Sequence, residues 1–340
     1  MSTLDYTDVA GLPLPSDYAP SDAETWDLGG IRAPAFVAGE ELAQLADDDD
    51  RIVLLTADLG YSNRTIEFAD RHPERFLNIG VAEQNMVSMA AGLATCGKLP
   101  YVSTFASFIG LLAIEQLRTD VAYPRQPVRV LAHHAGMALG FYGTSHHALE
   151  DVAIVRSVAE LPIVSATDEA MLRAILRFSL DHPGPLYIRM GRGRDPLVHA
   201  ETPEFALGRS WKLCDGRDLA ILATGAEVAP ALHAAELLER QQIQARVVDV
   251  ASVKPIDREA VLAAARECGA LLTVEEHYVT GGLGGAVAEV LADAGVAVPF
   301  RRHGIEDEYV RVGPPAALYA HYRLDGPGIA EVALELLRGR

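Results

Sequence analysis

Short apolar runs alternate with amphipathic stretches, in two successive series, and this rhythm constrains the chain more than any other feature. Strand-type runs occupy residues 51–57, 76–81, 101–105, 128–132 and 185–189. Helical spacing of apolar residues marks 35–46, the stretch after 82, a segment ending near 123, and then 148–158 and 168–180. Such alternation predicts a parallel sheet covered by helices on its faces. Residues 202–211, with Pro203 and Gly208, interrupt the rhythm and form the best candidate boundary. A second series follows, with strands expected at 219–224, 245–250, 270–275 and 296–303 and helices at 227–241, 257–268, 283–294 and 328–337. The expected fold class is α/β, with two open, mostly parallel sheet domains at 33–201 and 202–340. Residues 1–32 carry Pro13, Pro15 and Pro20 without periodicity and read as an extended arm.

Composition narrows the function. The 340 residues are 49% hydrophobic and 22% charged, which suits large buried cores. A net charge of −18 argues against binding nucleic acid through a basic face, while a local arginine pocket can still hold an anion. Cys96, Cys214 and Cys268 are odd in number and far apart, which argues against a disulfide framework or a zinc site. No uninterrupted apolar stretch reaches the roughly 18 residues of a membrane span, and no basic-then-apolar leader is visible. A cytoplasmic location is expected.

One stretch carries chemistry. At 76–89 the sequence reads FLNIGVAEQNMVSM, in which an apolar run meets a helix that begins at Glu83. Met86, Met89, Ala90 and Leu93 follow at helical spacing. A glutamate in a first helical turn is ordinary capping by itself. Its neighbours are not ordinary. Gly80, Val81, Ala82, Glu83, Gln84, Asn85 and Met86 resemble the catalytic-glutamate motif of the transketolase family of thiamine-diphosphate enzymes. The resemblance implies that Glu83 hydrogen-bonds the pyrimidine ring and favours its imino tautomer, a task suited to a desolvated carboxyl group. It also implies that the first domain binds the pyrimidine and that the second is the transketolase C-terminal domain.

Further residues match the family position by position. Thr104, Phe105 and Phe108 fall in the segment that cages the aminopyrimidine, so Phe105 and Phe108 are carried over as cofactor-binding residues. Leu111 stands where a tyrosine is common. In the loop 133–151, His134 and His146 keep the family separation and are expected to meet substrate hydroxyls, as catalytic and substrate-binding residues. Tyr142 replaces an aspartate there and His147 a glutamine, which predicts altered specificity. His133, His134, His146 and His147 lack the carboxylate spacing a metal site would use, so no metal ligand is assigned. At the end of the strand near 189, Arg192 aligns best with the family's anion-binding arginine and Arg189 second, while Arg194 reads as a surface charge. Gly281, Gly282, Gly284 and Gly285 before a helix could cradle an anion, although tight packing is the simpler cause. His277 and the 303–307 stretch are expected to serve structure or subunit contacts.

The family's second half-site, a metal-bound diphosphate held by a G-D-G motif and a later asparagine, has no counterpart here. The resemblance therefore implies a split enzyme. A partner chain would hold thiamine diphosphate through Mg2+ or Ca2+, the active site would form between chains, and an α2β2 assembly is expected. The expected reaction moves a two-carbon ketol unit from an anionic ketose to an aldehyde. Two other readings stay open: the β subunit of a 2-oxo acid dehydrogenase, and a non-catalytic scaffold that keeps the fold. The loop at 143–147 and the arginine strand favour the first reading, and Glu83 argues against the last.

Overall fold

The computed structural model describes residues 34–192 and 196–339. The expected arm at 1–32 lies outside the described residues, as does Arg194. The first half runs α1 (Pro34–Asp48), β1 (Ile52–Thr56), α2 (Ile66–Arg71), β2 (Phe76–Asn78), α3 (Glu83–Thr95), β3 (Leu99–Phe105), α4 (Ala106–Leu112), α5 (Ile114–Gln116), β4 (Arg129–His133), α6 (Asp151–Arg156), β5 (Ile163–Ser165), α7 (Glu169–Ser179) and β6 (Leu186–Arg189). The second runs β7 (Trp211–Cys214), β8 (Leu219–Ala223), α8 (Val228–Glu239), β9 (Ala245–Asp249), β10 (Ser252–Lys254), α9 (Arg258–Glu267), β11 (Leu271–Tyr278), α10 (Leu283–Asp293), β12 (Phe300–Ile305), α11 (Pro315–His321) and α12 (Gly326–Arg338).

These strands make two open sheets, ordered β10-β5-β6-β4-β3-β1-β2 and β12-β11-β8-β9-β7. Among the described residues, all strand pairings are parallel except β10 with β5 and β7 with β9. Every residue of β1, β3, β4, β6, β8 and β9 is buried. A strand covered on both faces needs no polar alternation, which is why these segments are mostly apolar, with their polar residues largely at the strand ends. Met86, Val87 and Ala90 of α3, Ile109 of α4 and Val152 of α6 cover one face of the first sheet. Val37 and Leu42 of α1, Phe68 of α2, and Met171 and Ile175 of α7 cover the other. In the second sheet α8 and α12 pack on one face, α9 and α10 on the other.

The structure departs from the sequence expectations at several points. β10 comes from the second half of the chain yet adds an antiparallel edge strand to the first sheet. Like β5, it has three residues, too few to carry a period. The helix expected at 148–158 shrinks to α6, because Ala148 forms a two-residue bridge with Gly136. The single helix expected to run to 123 is broken into α4, α5 and a π-helical stretch at Leu117–Ala122. The strand expected at 296–303 is β12, shifted toward the C-terminus, and α11 and the edge strand β7 fall where no element was expected. The run at 76–81 yields only β2, and Val81 and Met89 face outward, 82% and 39% exposed.

Candidate active site

Parallel sheets present their functional side chains at the carboxyl edges of their strands. Here β3 ends at Phe105 and β4 at His133, paired in register, so the residues that follow both strands emerge side by side. α3 opens beside them with Glu83 in its first turn. Among the described residues no side chain caps this helix, and the Glu83 carboxylate, only 5% exposed, supplies the charge that its N-terminus favours. Thr104 Oγ1 donates to Glu83 Oε1 at 3.4 Å, tying the carboxylate to the residue before Phe105.

The aromatic residues gather around this point. Phe105 and Phe108 stack with centroids 5.3 Å apart. His134 lies 4.2 Å from Phe105, and His146 meets Phe105 at 5.8 Å and Phe108 edge-on at 5.3 Å. Tyr142 reaches His146 at 4.9 Å while remaining exposed. Glu83, through its Thr104 tether, and the four residues Phe105, Phe108, His134 and His146 are thus brought to one edge of the sheet. Leu111 stands half-exposed on α4.

The imidazoles here are neutral. Burial pushes His133 down to about 3. His134 is held well below the usual imidazole range, first by burial and then by His133, Arg192 and His146. Burial also lowers His146. Among the described residues, neither nitrogen of His133 has a hydrogen-bond partner, and neither does Nδ1 of His134. Leaving such buried atoms unpaired costs about 1–3 kcal/mol each, a penalty that a bound polar group would relieve. His134 also adopts a left-handed backbone, φ 56°, which turns its ring back toward Phe105.

The two arginines separate. Arg189 is buried and committed to the protein itself. Its Nε donates to both Asp151 oxygens, at 3.2 and 3.0 Å, and its Nη2 donates to the carbonyls of Ala148 and Glu276 at 3.1 and 3.0 Å. The guanidinium of Arg189, expected to meet substrate, thus faces inward across the two sheets and is engaged by Asp151, Ala148 and Glu276. Arg192 is half-buried and close enough to depress His134. Among the described residues, no group of three or more His, Cys, Asp or Glu side chains could hold a metal ion.

The glycines at 281–285 have a definite occupant. Glu275 accepts from the backbone N–H groups of Leu283 at 2.6 Å and Gly284 at 2.8 Å, so the protein's own carboxylate sits on the α10 N-terminus. His277 is buried, its Nε2 3.3 Å from the backbone N of Ala153 in the first half. Asp151, the partner of Arg189, and Glu276 carry no motif that singles them out in the sequence. The available signal was a pair of acidic residues, Glu275 and Glu276, at the end of an otherwise apolar strand.

Fold and site together define a class: a two-domain α/β protein in which the carboxyl edge of the first sheet carries a buried carboxylate, a stacked phenylalanine pair and neutral imidazoles. Residues 35–196 match the model of the transketolase pyrimidine-binding domain, and residues 208–329 that of the transketolase C-terminal domain. The chain belongs to the transketolase family and corresponds to its C-terminal section. It is 41% identical to a transketolase C-terminal section of Methanocaldococcus jannaschii, over 88% of this chain and 95% of that protein. It is 40% identical to an apulose-4-phosphate transketolase subunit of Phocaeicola vulgatus, over 88% of this chain and 96% of the relative. It is also 40% identical to the 6-deoxy-6-sulfo-D-fructose transketolase subunit SqwH of a Clostridium species, over 87% and 91%. A solved structure described as a split gene transketolase, inactive beta4 tetramer, is 41% identical and superposes with a TM-score of 0.81 over 90% of this chain and 98% of its own.

Proposed function

We propose that this chain is the C-terminal subunit of a two-chain, thiamine-diphosphate-dependent transketolase. It transfers a two-carbon ketol unit from an anionic ketose to an aldehyde acceptor, at a site shared with a partner chain. The observation that carries this reading is the buried Glu83 carboxylate, tethered by Thr104 next to the Phe105–Phe108 pair.

The residues present fit the aminopyrimidine end of the cofactor. Among the described residues, Glu83 receives one long side-chain hydrogen bond, which leaves acceptor capacity for a ring nitrogen. Phe105 and Phe108 offer aromatic faces against which a ring can pack. When bound, thiamine diphosphate supplies a nucleophilic carbon for cleaving and rejoining carbon–carbon bonds next to a carbonyl. Glu83 would share a proton with the ring nitrogen. His134 and His146, both neutral, would donate to and accept from sugar hydroxyls and exclude water from the pocket. Arg192 would hold the anionic end of the sugar. Relatives named for a phosphate and for a sulfonate sugar support that class of tail, since a guanidinium fork suits either. The partner chain would hold the diphosphate and its Mg2+ or Ca2+. Relatives named as a section, as subunits and as a split-gene product support this division, with a heterotetramer as the expected assembly. The three cysteines are free thiols, in keeping with a reducing, cytoplasmic setting, and no helix among the described residues is long and apolar enough to cross a membrane.

The test is reconstitution with the chain that carries the metal motif, assayed with ketose phosphates and, separately, with a lipoyl-domain acceptor. Ketol transfer is expected only from the mixture. Glu83→Ala should lower kcat/KM by about 10²–10⁴-fold. Arg192→Ala should raise KM for anionic ketoses by about 10–100-fold. Full activity of Glu83→Ala, or acyl transfer to the lipoyl domain in place of ketol transfer, would reject the reading.

A further inference from the structure

The loop that carries His134 and His146 is not held by its own domain alone. Gly136 and Ala148 form an antiparallel bridge at its base, with N–H to carbonyl distances of 2.9 Å in both directions. Beneath that bridge lies β11 of the second sheet, which sends two buried carboxylates in different directions. Glu275 stays within its own domain, on the α10 N-terminus. Glu276 crosses over. Its Oε1 accepts from the backbone N–H of Met137 at 2.6 Å and from the Tyr319 hydroxyl at 2.6 Å. Gly136, at φ +68°, passes so close that a Cβ there would fall inside the Glu276 carboxyl group. Arg189 closes the ring, donating to the Ala148 carbonyl on one side and the Glu276 carbonyl on the other. The far end of the loop is pinned as well, by Gly313 N–H donating to the Gly140 carbonyl at 3.1 Å.

We propose that Glu276, supplied by the C-terminal domain, is a positioning residue for the His134–His146 pair, setting their separation through Met137 and the Gly136–Ala148 bridge. The carboxylate is well suited to the task. As an acceptor-only group it takes two donors at once, and charge-assisted bonds of this length are about twice as strong as neutral ones. The crevice at the carboxyl edge of the second sheet, where such folds commonly hold a ligand, is filled here by the protein's own loop and carboxylates. The C-terminal domain thus shapes the active site from behind. What the loop does in catalysis rests on the transferase reading above; how the loop is held does not.

The environment also makes this contact responsive to pH. Burial pushes Glu276 up to about 7, opposed by the Tyr319 hydroxyl on α11, the Arg189 charge on β6 and the Met137 N–H, and reinforced by Asp151 on α6. Glu275 and His277 are its titratable neighbours on β11. Protonation costs the carboxylate its charge and makes one oxygen a donor, so the grip on Met137 weakens as pH falls through neutrality.

The test is amide hydrogen exchange on the full chain, read by peptide and corrected for intrinsic rates. Glu276→Ala should speed exchange across 134–148 by about tenfold, with the rest of the chain unchanged. Tyr319→Phe, which removes one donor and keeps the fold, should leave Glu276 in place but alter the pH at which protection of 134–148 is lost. Protection in the wild type should fall between pH 8 and 6, and Glu276→Gln should abolish that dependence. Glu275→Gln should loosen only 282–286. In the reconstituted enzyme Glu276→Gln should raise KM for the ketose more than it lowers kcat. Unchanged protection at 134–148 in Glu276→Ala, or loss spread evenly over the chain, would overturn the proposal. Absence of ketol transfer with the expected exchange pattern would remove the transferase reading and leave the positioning role standing.

Discussion

His133 shows most simply how burial governs single residues in this site. Among the described residues neither of its buried ring nitrogens finds a partner, and its pKa falls to about 3. The folded-state value lies below the unfolded value of 6.5, so the unfolded chain takes up a proton that the folded chain refuses. The stability associated with His133 is therefore complete above about pH 6.5 and is lost as pH falls toward 3, at about 1.4 kcal/mol per pH unit. His133→Leu removes the titration and orphans no partner. The expected outcome is a variant that matches the wild type at pH 8 within about 1.5 kcal/mol and overtakes it below about pH 5, measured by urea denaturation across pH. Parallel curves for the two proteins would count against a neutral, buried His133. At this scale the legibility of the sequence was uneven. Glu83 could be read because seven consecutive residues carry its motif. Glu276 could not, because Met137, the group it holds, is 139 positions away.

Elements add what single residues lack. α1 packs on α7 and α2, and Gly39 sits buried in its middle. A glycine inside a helix is ordinarily improved by alanine, by about 0.5–1 kcal/mol. At position 39 the sign reverses, because a new Cβ would fall onto the backbone carbonyl of Arg64. That backbone is already in the left-handed region, φ 55°, and cannot swing aside as a side chain would. Gly39→Ala is expected to cost about 1–3 kcal/mol, read as a lower urea midpoint at unchanged m. A stabilised variant would mean that α1 can slide away from α2. The fully buried strands were readable as elements, since a mostly apolar run between two helical stretches is what a strand covered on both faces requires. β5 and β10 were not, because a three-residue strand is defined by its partner rather than by its own pattern.

At the scale of the molecule, α3 and α4, the helices that carry Glu83 and Phe108, expose apolar side chains although the chain has a net charge of −18. Val81, Met89, Leu111 and Leu112 are exposed on α4 and on α3 with the turn before it, the elements that carry Phe108 and Glu83. Under the two-chain reading proposed above, exposed apolar side chains on these elements are what an association surface would use. Replacing Leu111 and Leu112 together by Glu is expected to weaken assembly with the partner chain at least about tenfold, about 1.4 kcal/mol, by sedimentation or light scattering. The unfolding free energy of the isolated chain should move by less than about 0.5 kcal/mol, since both side chains are about half exposed. Undiminished assembly would locate the contact elsewhere on the surface.

Local pattern by itself determined that this chain forms two layered α/β units and that Glu83 opens a helix; Phe105 and Phe108 were singled out by the family resemblance, and their stacking is a tertiary fact. Periodicity reports which side chains are buried, and that depends on near neighbours along the chain. Tertiary structure alone decided that β10 joins the other domain's sheet, that Arg189 turns inward to Asp151, and that Glu276 grips the histidine loop. Each of these depends on which charged or unpaired backbone group meets which partner across a long stretch of chain, and only the packed molecule brings such groups within hydrogen-bonding distance.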